Sequence, residues 1–286
     1  LRLADNPQSP ADEELVTVIA QSVRANEHDP AFAALLTRLP DVGELFMERD
    51  PADAVALNDA RLRMQLALSD ALDADITRIL SAPSPTPFDP GVEQAGVRAL
   101  RISMIVLLGM RKTTDAATRL KALFDAAPNM TESLSTMRAL AGIPGPTSKA
   151  AIEQFHTKWK SNPLVIDKWF GAQAATSDID AVRALIQHPD FDFSNPNRVR
   201  AVAGVLAVQN LAVFHAPDGS GHDLLADIIL DVDKRNPAVA ARLLTSYEQW
   251  RRLEPKAQAT AKAALGRLKE ADLSKNSADI LARALG

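Results

Sequence analysis

Chemistry at neutral pH needs a nucleophile, a proton carrier or a metal, so the histidines come first. The chain holds five: His28, His156, His188, His215 and His222. None lies in a His-Glu-x-x-His pattern, which sets two imidazoles on one helical face with a general base between them. His215 and His222 flank a loop containing Gly219 and Gly221 and can approach each other, but no third ligand accompanies them. They are expected to be solvent-facing or helix-end histidines. Asp218-Gly219-Ser220-Gly221 is glycine-rich, yet it follows no strand and leads to no Gly-Lys-Ser/Thr, the context a phosphate cradle needs. It reads as a turn and helix start, with Asp218 or Ser220 accepting from the next amides. There is no Gly-x-Ser-x-Gly elbow and no cysteine to supply a thiol nucleophile. The 36 acidic residues offer many imaginable carboxylate pairs, but no spacing selects one, so a hydrolase built on carboxylates with His215 or His222 ranks last. No catalytic residue and no metal ligand is assigned, and the chain alone is expected not to be an enzyme.

Composition narrows the partners. The net charge of -4 argues against nucleic acid or an anionic membrane surface, which select a basic face. No apolar stretch reaches the ~20 residues that span a bilayer, and the longest, Ile102 to Gly109, is two turns of helix. The absence of cysteine excludes disulfides and thiolate zinc sites and permits a reducing compartment, so a cytoplasmic location is expected. Leu1 is not an initiator and the opening residues lack a signal-peptide layout, which suggests a piece of something longer.

The elements that must position any site are helices. Ser9-Pro10, Asp29-Pro30, Asp50-Pro51, Asp89-Pro90, Asn162-Pro163, Asn195-Pro196 and Asn236-Pro237 each pair a capping side chain with a proline pre-organised for the first helical turn. Asn195 and Asn236 are predicted N-caps, worth ~1 kcal/mol each. The clearest helix runs from about Pro51 to Leu80, with Leu57, Ala60, Met64, Leu68, Leu72, Ile76 and Ile79 in one stripe. Residues 97–108 are apolar almost all round and fit a buried helix, and further helices follow to residue 285. No segment alternates as a strand does. Helix starts in the second half give roughly 35–40 residues per helix pair, in the range of HEAT-like arrays. The predicted fold is therefore all-α: an irregular α-solenoid, a HEAT/armadillo-like superhelix of helix pairs, forming one domain over residues 1–286. The Pro-rich stretch 82–90 is a possible internal seam.

Four segments carry a resemblance. They are Leu164-Val165-Ile166-Asp167-Lys168-Trp169-Phe170 with Gln173-Ala174-Ala175-Thr176-Ser177; Ser194-Asn195-Pro196-Asn197-Arg198-Val199-Arg200; Phe214-His215-Ala216-Pro217-Asp218-Gly219-Ser220-Gly221; and Asp233 to Leu243. In this order and spacing they resemble the C-terminal helical domain of the bacterial aminopeptidase N family, gluzincin zinc aminopeptidases. The likeness is specific over residues 155–285 and thinner upstream.

What this implies is a supporting part. In the family, zinc, general base and substrate-amine recognition belong to earlier domains. The resemblance implies no cofactor in this chain and Zn in the parent enzyme. It implies as partners the catalytic domain of the same polypeptide and peptide substrates losing their N-terminal residue. It also implies that Arg200 and Arg242 line a substrate chamber, where a guanidinium fork can take a carboxylate or backbone carbonyls. A free-standing helical-repeat scaffold binding peptides or partner proteins is the alternative. Trp169 and Phe170 are expected in the core.

Overall fold

A computed structural model describes residues 1–286, and its fold is all-α. The helices are α1 (Arg2–Asp5), α2 (Glu13–Ala25), α3 (Pro30–Leu36), α4 (Val42–Met47), α5 (Ala54–Ala71), α6 (Asp73–Ser81) and α7 (Val92–Met110). Then come α8 (Thr114–Ala126), α9 (Met130–Ala141), α10 (Pro146–Trp159), α11 (Pro163–Ala174), α12 (Ile179–Ile186) and α13 (Pro196–Val199). A π-helical turn, Arg200–Gly204, leads into α14 (Val205–Gln209), α15 (Leu211–Phe214), α16 (Ser220–Asp233), α17 (Pro237–Leu244), α18 (Pro255–Lys269) and α19 (Lys275–Leu285). One isolated parallel bridge, Ala52 to Leu253, is the only extended pairing. No helix is long and apolar enough to cross a membrane.

The chain divides into two compact units. The first comprises Leu1–Pro40 and Asp59–Ala172; the second comprises Asp41–Asn58 and Gln173–Gly286. Residues 82–90, the possible seam, lie inside the first unit.

In the first unit α7 packs on α8 and α9, and α9 on α10, near neighbours in the chain, while α3 packs on α7 across the intervening α4–α6. That is the pattern of stacked helical repeats. The buried stripe of α7 is Leu100, Met104, Ile105, Leu107 and Leu108, as its composition predicts. Trp169 and Phe170 are core residues, 4 % and 0 % exposed, and the Trp169 indole N–H donates to the Ile152 carbonyl at 2.9 Å.

The single helix predicted from Pro51 to Leu80 is two helices. Asp53 caps α5 by accepting from the Val55 and Ala56 amides, both at 3.0 Å. The break falls at Leu72, whose φ of -102° and ψ of 17° leave the helical region. Two guanidiniums from distant helices take the carbonyls there: Arg111 donates to Ser69 O and Arg24 to Ala71 O, both at 2.7 Å. Asp73 and Asp75 then open α6, where acidic groups favour a helix N-terminus. The apolar stripe survives the break, since Leu68, Leu72 and Ile76 are all fully buried. At the N-terminus, Arg63 draws residues 3–9 together by donating to the carbonyls of Leu3 (2.6 Å), Asn6 (3.5 Å), Pro7 (3.0 Å) and Ser9 (2.6 Å).

In the second unit α16 packs on α17 and α18, and α19 on α17 and α18. Asp233, at the end of α16, accepts from the Ser274 amide (2.6 Å), the Ser274 hydroxyl (2.6 Å) and the Ser277 hydroxyl (2.5 Å), which fixes the start of α19. Burial pushes the Asp233 carboxyl up, but these donors outweigh it and hold the group below the usual range. The segment 41–58 is stitched to this unit: the Ala52 amide donates to Arg252 O at 2.6 Å and the Glu254 amide to Ala52 O at 3.0 Å. The Arg252 guanidinium also donates to Met47 O (2.9 Å) and Arg49 O (2.8 Å).

Candidate functional site

Asn195, Arg200, His215, His222, Asn236 and Arg242 belong to the second unit, while His28, His156, Trp169 and Phe170 belong to the first. Asn195 begins α13, its side-chain oxygen accepting from the amides of Asn197 (3.0 Å) and Arg198 (3.3 Å). Proline at the next position removes a donor that would otherwise lack a partner. Asn236 does the same for α17, accepting from Val239 N at 3.3 Å.

Arg200 opens the π-helical turn that interrupts what the sequence predicts as one helix over 196–207. It is exposed, and its Nη2 donates to Asn197 Oδ1 at 2.6 Å. Arg198, two residues earlier, is buried instead and donates to the Asp190 carbonyl. Arg242 lies in the last turn of α17, exposed and without an ion pair; its backbone carbonyl accepts from the Thr245 hydroxyl at 2.8 Å. No direct bond joins the two arginines. Both guanidiniums are exposed, that of Arg200 with one donor given to Asn197.

The histidines differ from expectation. His215 and His222 are buried, 7 % and 0 % exposed, and bonded to each other: Nδ1 of His215 lies 2.9 Å from Nε2 of His222. His222 Nδ1 is 3.0 Å from the Thr260 hydroxyl, which donates to the Ala257 carbonyl at 3.0 Å. The Tyr247 hydroxyl donates to His222 O at 2.6 Å. Phe46 stacks on His215 at 5.8 Å, and Phe214 meets His222 edge-on at 5.1 Å. Burial pulls His215 down to about 3, with the second imidazole adding to the effect, and burial pulls His222 down to about 4. The loop glycines signal this packing. A Cβ on Gly221 would come within 2.5 Å of the Phe214 and Val213 carbonyls, so α16 can close on α15 only at glycine. Gly219 takes φ +79° against Thr260. Asp218 accepts from the Ser220 amide (3.0 Å) and hydroxyl (2.7 Å), which holds its carboxyl below the usual range. The sequence therefore carried the cue to the corner, in glycines at a close approach, while pointing its histidines at solvent.

This pair does not fit zinc. Two ligand nitrogens on a tetrahedral ion at ~2.0 Å lie about 3.3 Å apart with both lone pairs turned to the metal. Here the nitrogens are 2.9 Å apart and share a hydrogen bond, and His222's other nitrogen is committed to Thr260.

Comparison with known proteins agrees with the fold. A family model described as domain of unknown function DUF3458_C, ARM repeats, matches residues 1–286. The chain is 35% identical to aminopeptidase N of Caulobacter vibrioides over 291 residues, covering 100% of this chain and 34% of that protein. It is 35% identical to aminopeptidase N of Escherichia coli over 244 residues, 84% of this chain and 28% of that protein. A solved structure of Legionella pneumophila aminopeptidase A in complex with aspartic acid superposes with a TM-score of 0.83 at 29% identity, covering 94% of this chain and 33% of that one. The chain thus spans about a third of the length of the relatives it matches. With an all-α fold of sequentially stacked helices and a family match from end to end, the chain belongs to the DUF3458_C family of ARM-repeat domains, and resembles the C-terminal helical domain of aminopeptidases.

Proposed function

We infer that this chain serves as the C-terminal part of a zinc aminopeptidase N. It closes over the catalytic domain of the same polypeptide, restricts entry to peptides, and helps position substrates whose N-terminal residue is removed. The observation that carries this reading is the match along the whole chain to a protein three times as long, which leaves two thirds of the relative to hold the reacting groups. The zinc site and its base belong to that remainder. The exposed guanidiniums of Arg200 and Arg242 are the groups here suited to a peptide carboxylate or backbone.

In the intact enzyme, Arg200→Ala or Arg242→Ala should raise KM for longer peptides about tenfold, the loss of one charge-assisted hydrogen bond, and leave a single aminoacyl reporter nearly unchanged. Equal effects on both substrates would remove the positioning role. The isolated chain, purified free of metal, should bind no stoichiometric zinc and leave aminoacyl reporters intact; sustained turnover by it would overturn the supporting role itself.

A further inference from the structure

With the Thr260 hydroxyl bonded to the Ala257 carbonyl, the hydrogen-bond chain through His215 and His222 assigns its protons. The Thr260 hydroxyl gives its hydrogen to the Ala257 carbonyl, so toward His222 Nδ1 it can only accept. His222 therefore carries its proton on Nδ1 and offers a bare Nε2. His215 Nδ1, 2.9 Å away, must be the donor to it. Both imidazoles are neutral in this arrangement. One added proton leaves an imidazolium bonded to an imidazole once His215 carries its own hydrogen on Nε2, so it brings a buried positive charge rather than a lost bond; only a second would set two N–H groups against each other across 2.9 Å.

The surroundings provide no counter-charge at the contact itself. His215 lies between the rings of Phe46, on α4, and Phe214, on α15. The charges that reach the pair are Asp218 and Asp223, both on the His222 side. Asp218 is engaged by Ser220, and Asp223 by Arg267 at 2.9 Å. From the turn after α17, Tyr247 offers a hydroxyl already given to the His222 carbonyl, and from α18 comes neutral Thr260. Gly221 lets the start of α16 close on α15, where a Cβ would fall 2.5 Å from the Phe214 and Val213 carbonyls. A proton that enters the pair is therefore a charge without a partner at a buried contact, and opening the corner to water relieves it.

We propose that the His215–His222 pair is an acid-sensitive latch: taking up a proton parts α15 from the start of α16 and frees α4 through the Phe46 ring stacked on His215. The device is local to one corner of the second unit, and it joins a segment of the N-terminal half to the C-terminal half of the chain. Burial and the pairing together keep both rings neutral down to about pH 4, so the latch is shut at neutral pH and strained below it.

Hydrogen exchange on the chain between pH 7.5 and 4.5, corrected for the intrinsic pH dependence of exchange, tests this. The opening constant for amides of residues 42–47 and 215–222 should rise about tenfold per pH unit below 6.5 for each proton taken up. The helices of the first unit should keep their protection over the same range. In a His215→Phe/His222→Gln variant, which keeps a ring against Phe46 but cannot take up the proton, the pH dependence at both segments should vanish. Imidazole resonances of the unmodified chain give a reading that needs no variant: those of the pair should stay in their neutral positions through pH 5. Resonances that titrate near pH 6.5 in the folded chain would overturn the latch. Protection at 42–47 that is equal at pH 7.5 and 4.5 would do the same, as would a loss shared by all helices at once.

Discussion

Arg101 and Glu132 meet between α7 and α9 with Nε 3.2 Å from Oε2, and their side chains are only 6 % and 4 % exposed. Such a buried pair survives because its remaining groups are satisfied. Arg101 also donates to the carbonyls of Ile79 (2.9 Å) and Ala82 (2.6 Å), while Glu132 accepts from the Ser84 hydroxyl (2.5 Å) and the Asn129 amide (3.0 Å). The Pro-rich stretch is thus tied to the helix core at its first residues. Arg101→Met should cost roughly 3–5 kcal/mol in urea unfolding, because it strands a buried carboxylate. Arg101→Met/Glu132→Leu should cost less than the single change. A double variant as unstable as the single one would mean that the stretch 79–84, not the charge, sets the loss.

Gly221→Ala should be among the most damaging single-methyl changes in the chain. Its Cβ would fall 2.5 Å from two main-chain carbonyls, which cannot rotate away. Overpacking of this kind costs about 1–3 kcal/mol where side chains can yield, and the upper end or beyond is expected here. Thermal unfolding measures it, with Gly266→Ala as the control, since a Cβ there meets nothing within 4 Å.

How much of this was legible beforehand depends on the range of the interaction. Asn195-Pro196 and Asn236-Pro237 are written in adjacent residues, and their helices start where the dipeptides place them. The heptad-like stripe from Leu57 to Ile76 is equally local, and its residues are buried as the spacing requires. The break at Leu72 was not legible, because the groups that replace the helical amides belong to Arg24 and Arg111, 47 and 42 residues from the carbonyls they take. The π-helical turn after Arg200 likewise has no local mark. His215 and His222 were placed near each other by their loop, but their burial comes from Phe46 and Tyr247, which no window around residue 218 contains.

Stability should decline with acid in a window set by that pair. Both imidazoles have lowered values in the folded chain, to about 3 and about 4, through burial foremost. An unfolded histidine binds its proton near 6.5, so below that pH the unfolded chain holds more protons than the folded one. The stabilisation is fully present above about pH 6.5 and is lost as the pH falls toward 4, by about 1.4 kcal/mol per pH unit for each imidazole. Denaturant midpoints at pH 7.5, 6.5, 5.5 and 4.5 measure it. A flat profile from 7.5 to 4.5 would contradict the burial of the pair.

Arg63→Ala should release residues 3–9 without unfolding the first unit. One guanidinium holds four carbonyls of that stretch, and α1 has no buried residue of its own. Bonds from a charged donor are worth about 1.5–3 kcal/mol, so exchange at those amides should accelerate tenfold or more while the α5 core stays protected. Limited proteolysis reads the same change as new cleavage before Glu13.

The stitch between segment 41–58 and residues 252–254 sets an order on how the chain is made. Arg252 reaches back 205 residues to Met47, so α4 leaves the ribosome long before its partner exists. At roughly 5–20 residues per second that gap lasts on the order of 10–40 s. Until residues from Gln173 onward are made, Phe46 and Ala52, both buried in the finished protein, have nothing of their own unit outside 41–58 to pack on, which makes that stretch a place for a nascent-chain chaperone to act.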